Sequence, residues 1–117
     1  MQMKIQVKGL PGAARLRRIA AQKIDLALAH YADAIQEASV CLGDINGPDR
    51  GGVDKLCRVV LRMKDSSVLV IEELGSDVAL VIERIAARLQ HRMARQMSRM
   101  VDIEGHDIRP HLGASAV

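Results

Sequence analysis

Apolar and polar side chains alternate over the first eight residues. Met3, Ile5 and Val7 fall on one side, and Gln2, Lys4, Gln6 and Lys8 on the other. A period of two predicts a half-buried strand over 2–8 whose open face is polar and basic. Gly9, Pro11 and Gly12 punctuate its end. The period then lengthens: Leu16, Ile19, Ala20, Ile24, Ala27 and Tyr31 predict an Ala-rich amphipathic helix over 13–31. Alternation returns over 35–42, with Ala38, Val40 and Leu42 pointing one way and Ser39 and Cys41 the other. The following stretch, GDINGPDRGG (43–52), has Gly or Pro at five of ten positions and reads as a long turn. A third strand over 56–64 directs Cys57, Val59, Leu61 and Met63 inward and Arg58, Val60, Arg62 and Lys64 outward. Asp65-Ser66-Ser67 turns the chain, so that 68–73 returns antiparallel. Gly75 breaks the strand, and Ser76 or Asp77 is placed to cap a last helix over 78–100. Its apolar stripe is Val78, Ile82, Ile85, Leu89, Met93, Met97 and Met100.

The order β-α-β-β-β-α predicts an α/β (α+β) two-layer sandwich. It has one four-stranded mixed sheet and both helices on the same face. The first strand pairs parallel to the second through a right-handed helical crossover. Residues 1–101 form one domain. Residues 102–117 lack a sustained period and are expected to be a mobile tail.

Composition narrows the function classes. Tyr31 is the single aromatic among 117 residues, which argues against a base-stacking sheet or a stacking groove for single strands. The formal charge is +3; residues 101–117 hold Asp102, Glu104 and Asp107 against Arg109, which leaves +5 on residues 1–100. A basic body, with Arg supplying 12 of 17 cations, suits a polyanionic partner. No apolar run approaches the roughly 20 residues that span a bilayer, and the N-terminus lacks a signal-peptide core. Two cysteines, Cys41 and Cys57, make no disulfide framework, and their alternation puts them on opposite faces of the sheet. A cytoplasmic, reduced protein is expected.

The sharpest chemical pattern lies in the last helix. Arg84, Arg88, Arg92, Arg95 and Arg99 are spaced 4, 4, 3 and 4. They share an arc of about 80°, centred roughly 115° from the apolar stripe. No acidic residue falls between Glu83 and Asp102. Five like charges on one face repel, and an anion neutralises them; the pattern reads as a phosphate-tracking ridge. Arg15 and Arg18 lie along a polar face of the first helix, near Lys23, and join the candidate RNA-binding set. The strand cations Lys4, Lys8, Arg58, Arg62 and Lys64 read as a solubilised open sheet face. None of the four histidines has metal-ligand spacing, no nucleophile has an assigned base, and no cofactor is expected. The 43–52 turn lacks the phosphate-loop pattern. Its Asp44, Asn46 and Asp49 lack the spacing of a calcium loop.

Two stretches carry a family resemblance. SDVALVIERIAARLQHRMARQ (76–96) and VCLGDINGPDRGGVDKLCRVVLRM (40–63) are similar to segments of the ribosome hibernation-promoting factor and ribosome-associated inhibitor family. That family was once described as sigma-54 modulation proteins. DINGP and DKxCR mark one bacterial subgroup, and the resemblance spans residues 2–100. It implies a fold like that of double-stranded RNA-binding domains. It also implies binding to 16S rRNA in the messenger and transfer RNA channel of the small ribosomal subunit, with translation regulation under stress. Arg88, His91, Arg92 and Arg95 match the family's rRNA-contacting positions on the last helix, and Lys23 matches one on the first. The chain departs from the pattern at Leu26 and Ala29, where basic residues are usual, and at Ala79, where an aromatic is usual. The further C-terminal domain that pairs ribosomes is not expected here, and the free protein is expected to be a monomer. A non-enzymatic ribosome-binding protein is the leading expectation. The alternative is a protein–protein adaptor of the same fold that has lost ribosome binding.

Overall fold

The structure, a computed structural model, describes the backbone of residues 1–45 and 54–108 and the side chains of 1–45 and 54–98. The strands are β1 (Gln2–Lys8), β2 (Ile35–Asp44), β3 (Lys55–Met63) and β4 (Val68–Gly75), and the helices are α1 (Ala13–Leu28) and α2 (Val78–Ile108). The sheet order is β1-β2-β3-β4, parallel between β1 and β2 and antiparallel elsewhere. Both helices pack on the same face and on one another, so the two-layer α+β sandwich expected from the chain order is the one that forms.

The core lies between sheet and helices. Ala38, Val40 and Leu42 of β2, Cys57, Val59 and Leu61 of β3 and Ile71 of β4 meet Ile24 and Leu28 of α1. From α2, Val81, Ile82, Ile85, Leu89 and Met93 are all fully buried. Each such aliphatic side chain contributes about 1.5–3 kcal/mol relative to an exposed position. Val81 is buried although the predicted stripe omits it, because its flank of α2 turns down onto β4.

Several departures from the sequence expectation bear on the site. The predicted first helix divides at Leu28: the N–H of Ala29 bonds to the carbonyl of Leu26, the turn tightens, and Ala29–Ala34 continue as a 3₁₀ segment. In β2 the register shifts between Ile35 and Glu37. Strict alternation would put both on one face; the irregularity instead buries Ile35 in the core and leaves Glu37 on the open side. β4 extends two residues further, which sets Glu73 and Gly75 beneath α2. That helix continues to Ile108, past the expected end at Met100. Gly105 is tolerated within it. The remainder of the expected tail, 109–117, lies outside the described residues, as does 46–53 of the long turn.

Local chemistry fixes the ends of the elements. Asp77 caps α2, its Oδ1 accepting from the N–H groups of Ala79 at 2.9 Å and Leu80 at 3.4 Å. In the β3–β4 turn Ser66 has φ 77°, and Asp65 Oδ1 accepts from the N–H of Ser67 at 2.9 Å. Cys57 is buried and Cys41 half-exposed on the opposite face; both are free thiols, as the alternation predicted. Burial pushes the Cys57 thiol up to about 12.

Candidate nucleic-acid interface

The helix layer has two outer flanks and a groove between them. Lys23, Leu26 and Ala27 of α1 face Glu83, Ala86, Ala87 and Gln90 of α2 across the groove. On the helical wheel of α2 the arginine ridge falls on the opposite flank, the one that borders β4. On α1, Lys23 lies on the groove side, Arg15 on the outward face and Arg18 on the far flank. The candidate residues therefore do not converge on one spot. The ridge runs along one margin of the helix layer, Arg18 stands on the other, and Arg15 and Lys23 lie between.

Along the ridge the arginines differ. Arg84 leans over the end of β4, its Nη1 3.3 Å from where a Cβ on Gly75 would stand. Arg88 reaches β4 itself, its Nη1 donating to the main-chain oxygen of Glu72 at 2.7 Å and to Glu73 Oε2 at 3.2 Å. Arg92 is half-buried and Arg95 exposed. Neither has an ion-pair or hydrogen-bond partner among the described residues. His91, Ala94, Arg95 and Ser98 line a shallow open depression on the outward face of α2. The side chain of Arg99 lies outside the described residues. The ridge thus needs one correction. The sequence between Glu83 and Asp102 offers no acid to answer it, yet β4 supplies one, and it engages Arg88.

Ion pairing separates the cations of the sheet from those of the helices. On the open sheet face Glu37 receives Lys4 at 3.0 Å and Arg62 as a second partner, and Arg58 pairs with Glu72 at 3.6 Å. The hydrogen bond from Lys4, then that from Arg62, hold the Glu37 carboxyl below its ordinary range. Lys55 bridges the buried Asp54 at 2.8 Å and Asp44 at 3.2 Å, and the bond to Asp54 chiefly raises the lysine's pKa. Asp54 is fully buried, and its Oδ2 has no hydrogen-bond partner among the described residues. Arg15, Arg17, Arg18, Lys23, Arg84, Arg92 and Arg95 have no carboxylate partner among the described residues. Of the sheet-side cations only Lys8 and Lys64 share that state. The open sheet face thus pairs three of its five cations with two carboxylates and keeps a net positive charge. These carboxylates went unread in the sequence, because a cross-strand pair shows only once the register is known.

Among the described residues no group of three or more His, Cys, Asp or Glu is placed to hold a metal ion. Asp44 is engaged with Lys55, and Asn46 and Asp49, the other oxygen donors considered in the turn, lie outside the described residues. No helix among them is long and apolar enough to cross a membrane.

No protein-family model matches the chain, and no curated protein does. Solved structures do. A ribosomal subunit interface protein from Coxiella burnetii superposes with a TM-score of 0.66 at 12% identity, over 84% of this chain and 99% of that one. The N-terminal domain of Protein Y from Thermus thermophilus superposes with a TM-score of 0.64 at 18% identity, over 81% of this chain and 98% of that one. The fold expected from the family resemblance is thus found, and the chain has the fold of these two proteins.

Proposed function

We propose that this protein is a ribosome-associated translation inhibitor of the hibernation-factor type. In this reading it binds 16S rRNA in the messenger and transfer RNA channel of the small subunit, in the cytoplasm, as a monomer and without catalysis. The observation that carries the reading is the division of charge. Carboxylates answer four of the six cations of the sheet, Lys4, Lys55, Arg58 and Arg62, but only Arg88 of the eight described cations of the two helices. Unpaired arginines crowded on a helix are stabilised by phosphates, which they grip as planar forks. With one aromatic in the chain, recognition rests on phosphate contacts and on the shape of folded RNA rather than on base stacking. The structural neighbour from Coxiella burnetii, a ribosomal subunit interface protein, supports a ribosomal partner.

Co-sedimentation with purified small subunits over a salt series tests the reading. Binding that weakens linearly in log K against log salt is expected, with a slope of about −0.7 to −0.9 per phosphate contact. Salt-independent binding, or none at 50 mM salt, contradicts it. One observation favours the adaptor alternative: Leu26 is 67% exposed at the groove, where a basic residue would serve RNA better. An adaptor of this kind would leave ribosomes unbound at any salt.

A further inference from the structure

Arg88 is the one ridge arginine held by a carboxylate among the described residues. Both protons of its Nη1 are taken, one by the main-chain oxygen of Glu72 at 2.7 Å and one by Glu73 Oε2 at 3.2 Å. Glu73 lies opposite the buried Cys57 in the β3–β4 register, so its side chain rises on the helix side of the sheet. Glu72, one residue before it, points to the open face and pairs with Arg58. Arg88 is 49% exposed and Glu73 18%, so the pair sits at the rim of the ridge, within reach of a ligand approaching α2. A phosphate arriving at Arg88 meets a guanidinium whose charge is already answered, and it releases little condensed counterion there.

We propose that Glu73 is an internal competitor for Arg88, which withholds one cation of the ridge from RNA and thereby lowers this protein's affinity. The proposal rests on the reading of the helix layer as the RNA-binding face. Arg92 and Arg95, unpaired further along the ridge, then carry more of the binding than Arg88 does. Glu73 acts as a tuning residue: it touches no ligand and sets how many charges the ridge offers.

The test compares Glu73→Gln, Glu72→Gln and the double variant Glu73→Gln/Arg88→Gln with the parent protein, binding purified small ribosomal subunits at several salt concentrations. Glu73→Gln and Glu72→Gln make the same charge change one residue apart, on opposite faces of β4. Glu73→Gln is expected to tighten binding about fivefold at 0.15 M salt and to steepen the log K against log salt slope by about 0.7–0.9, the signature of one added phosphate contact. Glu72→Gln is expected to leave affinity and slope unchanged, and Glu73→Gln/Arg88→Gln to lose the added contact and with it the tightening seen in Glu73→Gln. Melting curves confirm that all three are folded. A purely structural ion pair would move the melting temperature and leave the slope alone, which would overturn the proposal. Equal tightening by both glutamate variants would also overturn it, since only long-range charge would then be at work. Tightening by Glu72→Gln alone would place the RNA on the open sheet face and overturn the proposal and the underlying reading together. Failure of the parent to bind would do the same, whereas a parent that binds with an inert Glu73→Gln removes the proposal alone.

Discussion

The junction between β4 and α2 sets the pose of the arginine ridge, and it turns on Gly75. A Cβ at this buried position would stand 2.8 Å from Val81 Cγ2 and 3.3 Å from Arg84 Nη1. The Arg84 guanidinium is the end of a long side chain and can swing aside. Val81 cannot: it is fully buried in the first turn of α2, and a β-branched residue in a helix has essentially one rotamer. Gly75 is not among the positive-φ glycines, so its backbone accepts alanine and the penalty is steric. Overpacking of this kind costs about 1–3 kcal/mol, offset by up to about 1 kcal/mol from the reduced entropy of the unfolded chain. Gly75→Ala is therefore expected to lower the melting temperature by about 5–15 °C, taking about 4–8 °C per kcal/mol for a domain near this size. Val81→Ala alone loses two buried methyl groups, about 1.6 kcal/mol by transfer. In the double variant the alanine Cβ occupies space the valine vacated, so the two losses should not add. Circular-dichroism melts of the four proteins decide the matter. A Gly75→Ala protein that melts with the parent, or a double variant showing the full sum of both losses, refutes the packing argument.

Two further predictions concern titrating groups. The Glu37 carboxyl is held below its ordinary 4.5 by Lys4 and Arg62, so its contribution to stability is fully present above about pH 4.5 and is lost as the pH falls through the lowered value. The gap in melting temperature between the parent and Glu37→Gln should be widest near pH 7 and close under acid; a gap that stays constant down to pH 3 contradicts the pairing. With its thiol raised to about 12, Cys57 should resist iodoacetamide at pH 8 in the native protein while Cys41 reacts, and both should be modified after denaturation. Mass spectrometry of the non-reduced protein reads this directly, and a native bridge between them would show that the register of β2 or β3 is misplaced.

Most of the fold was legible because its signals are local. The two-residue period of Met3, Ile5 and Val7 and that of Cys57, Val59 and Leu61 identify strands and faces, and the stripe from Ile82 to Met93 identifies the helix that covers them. What escaped is set by tertiary placement. Val81 lies off the stripe and is buried only because β4 ends beneath it. The shift at Ile35/Glu37 interrupts an alternation that reads as continuous. The ridge was legible as spacing, but its division was not: Glu73 belongs to another element 15 residues before Arg88, and only the folded chain brings them together. Lys23, Arg15 and Arg18 share one helix, yet its turn puts only Lys23 on the groove with α2 and aims the other two away from it.

The central claim is that unpaired arginines on the β4 flank of α2 bind ribosomal RNA. Arg92→Gln/Arg95→Gln removes two of them, and neither has a partner among the described residues, so the fold should keep its melting temperature within a few degrees. Measured by co-sedimentation with purified small subunits at 0.15 M salt, affinity should fall by about 25-fold and the salt slope should flatten by about 1.4–1.8, the loss of two phosphate contacts. A folded double variant that binds small subunits with the parent's affinity and slope would contradict the claim.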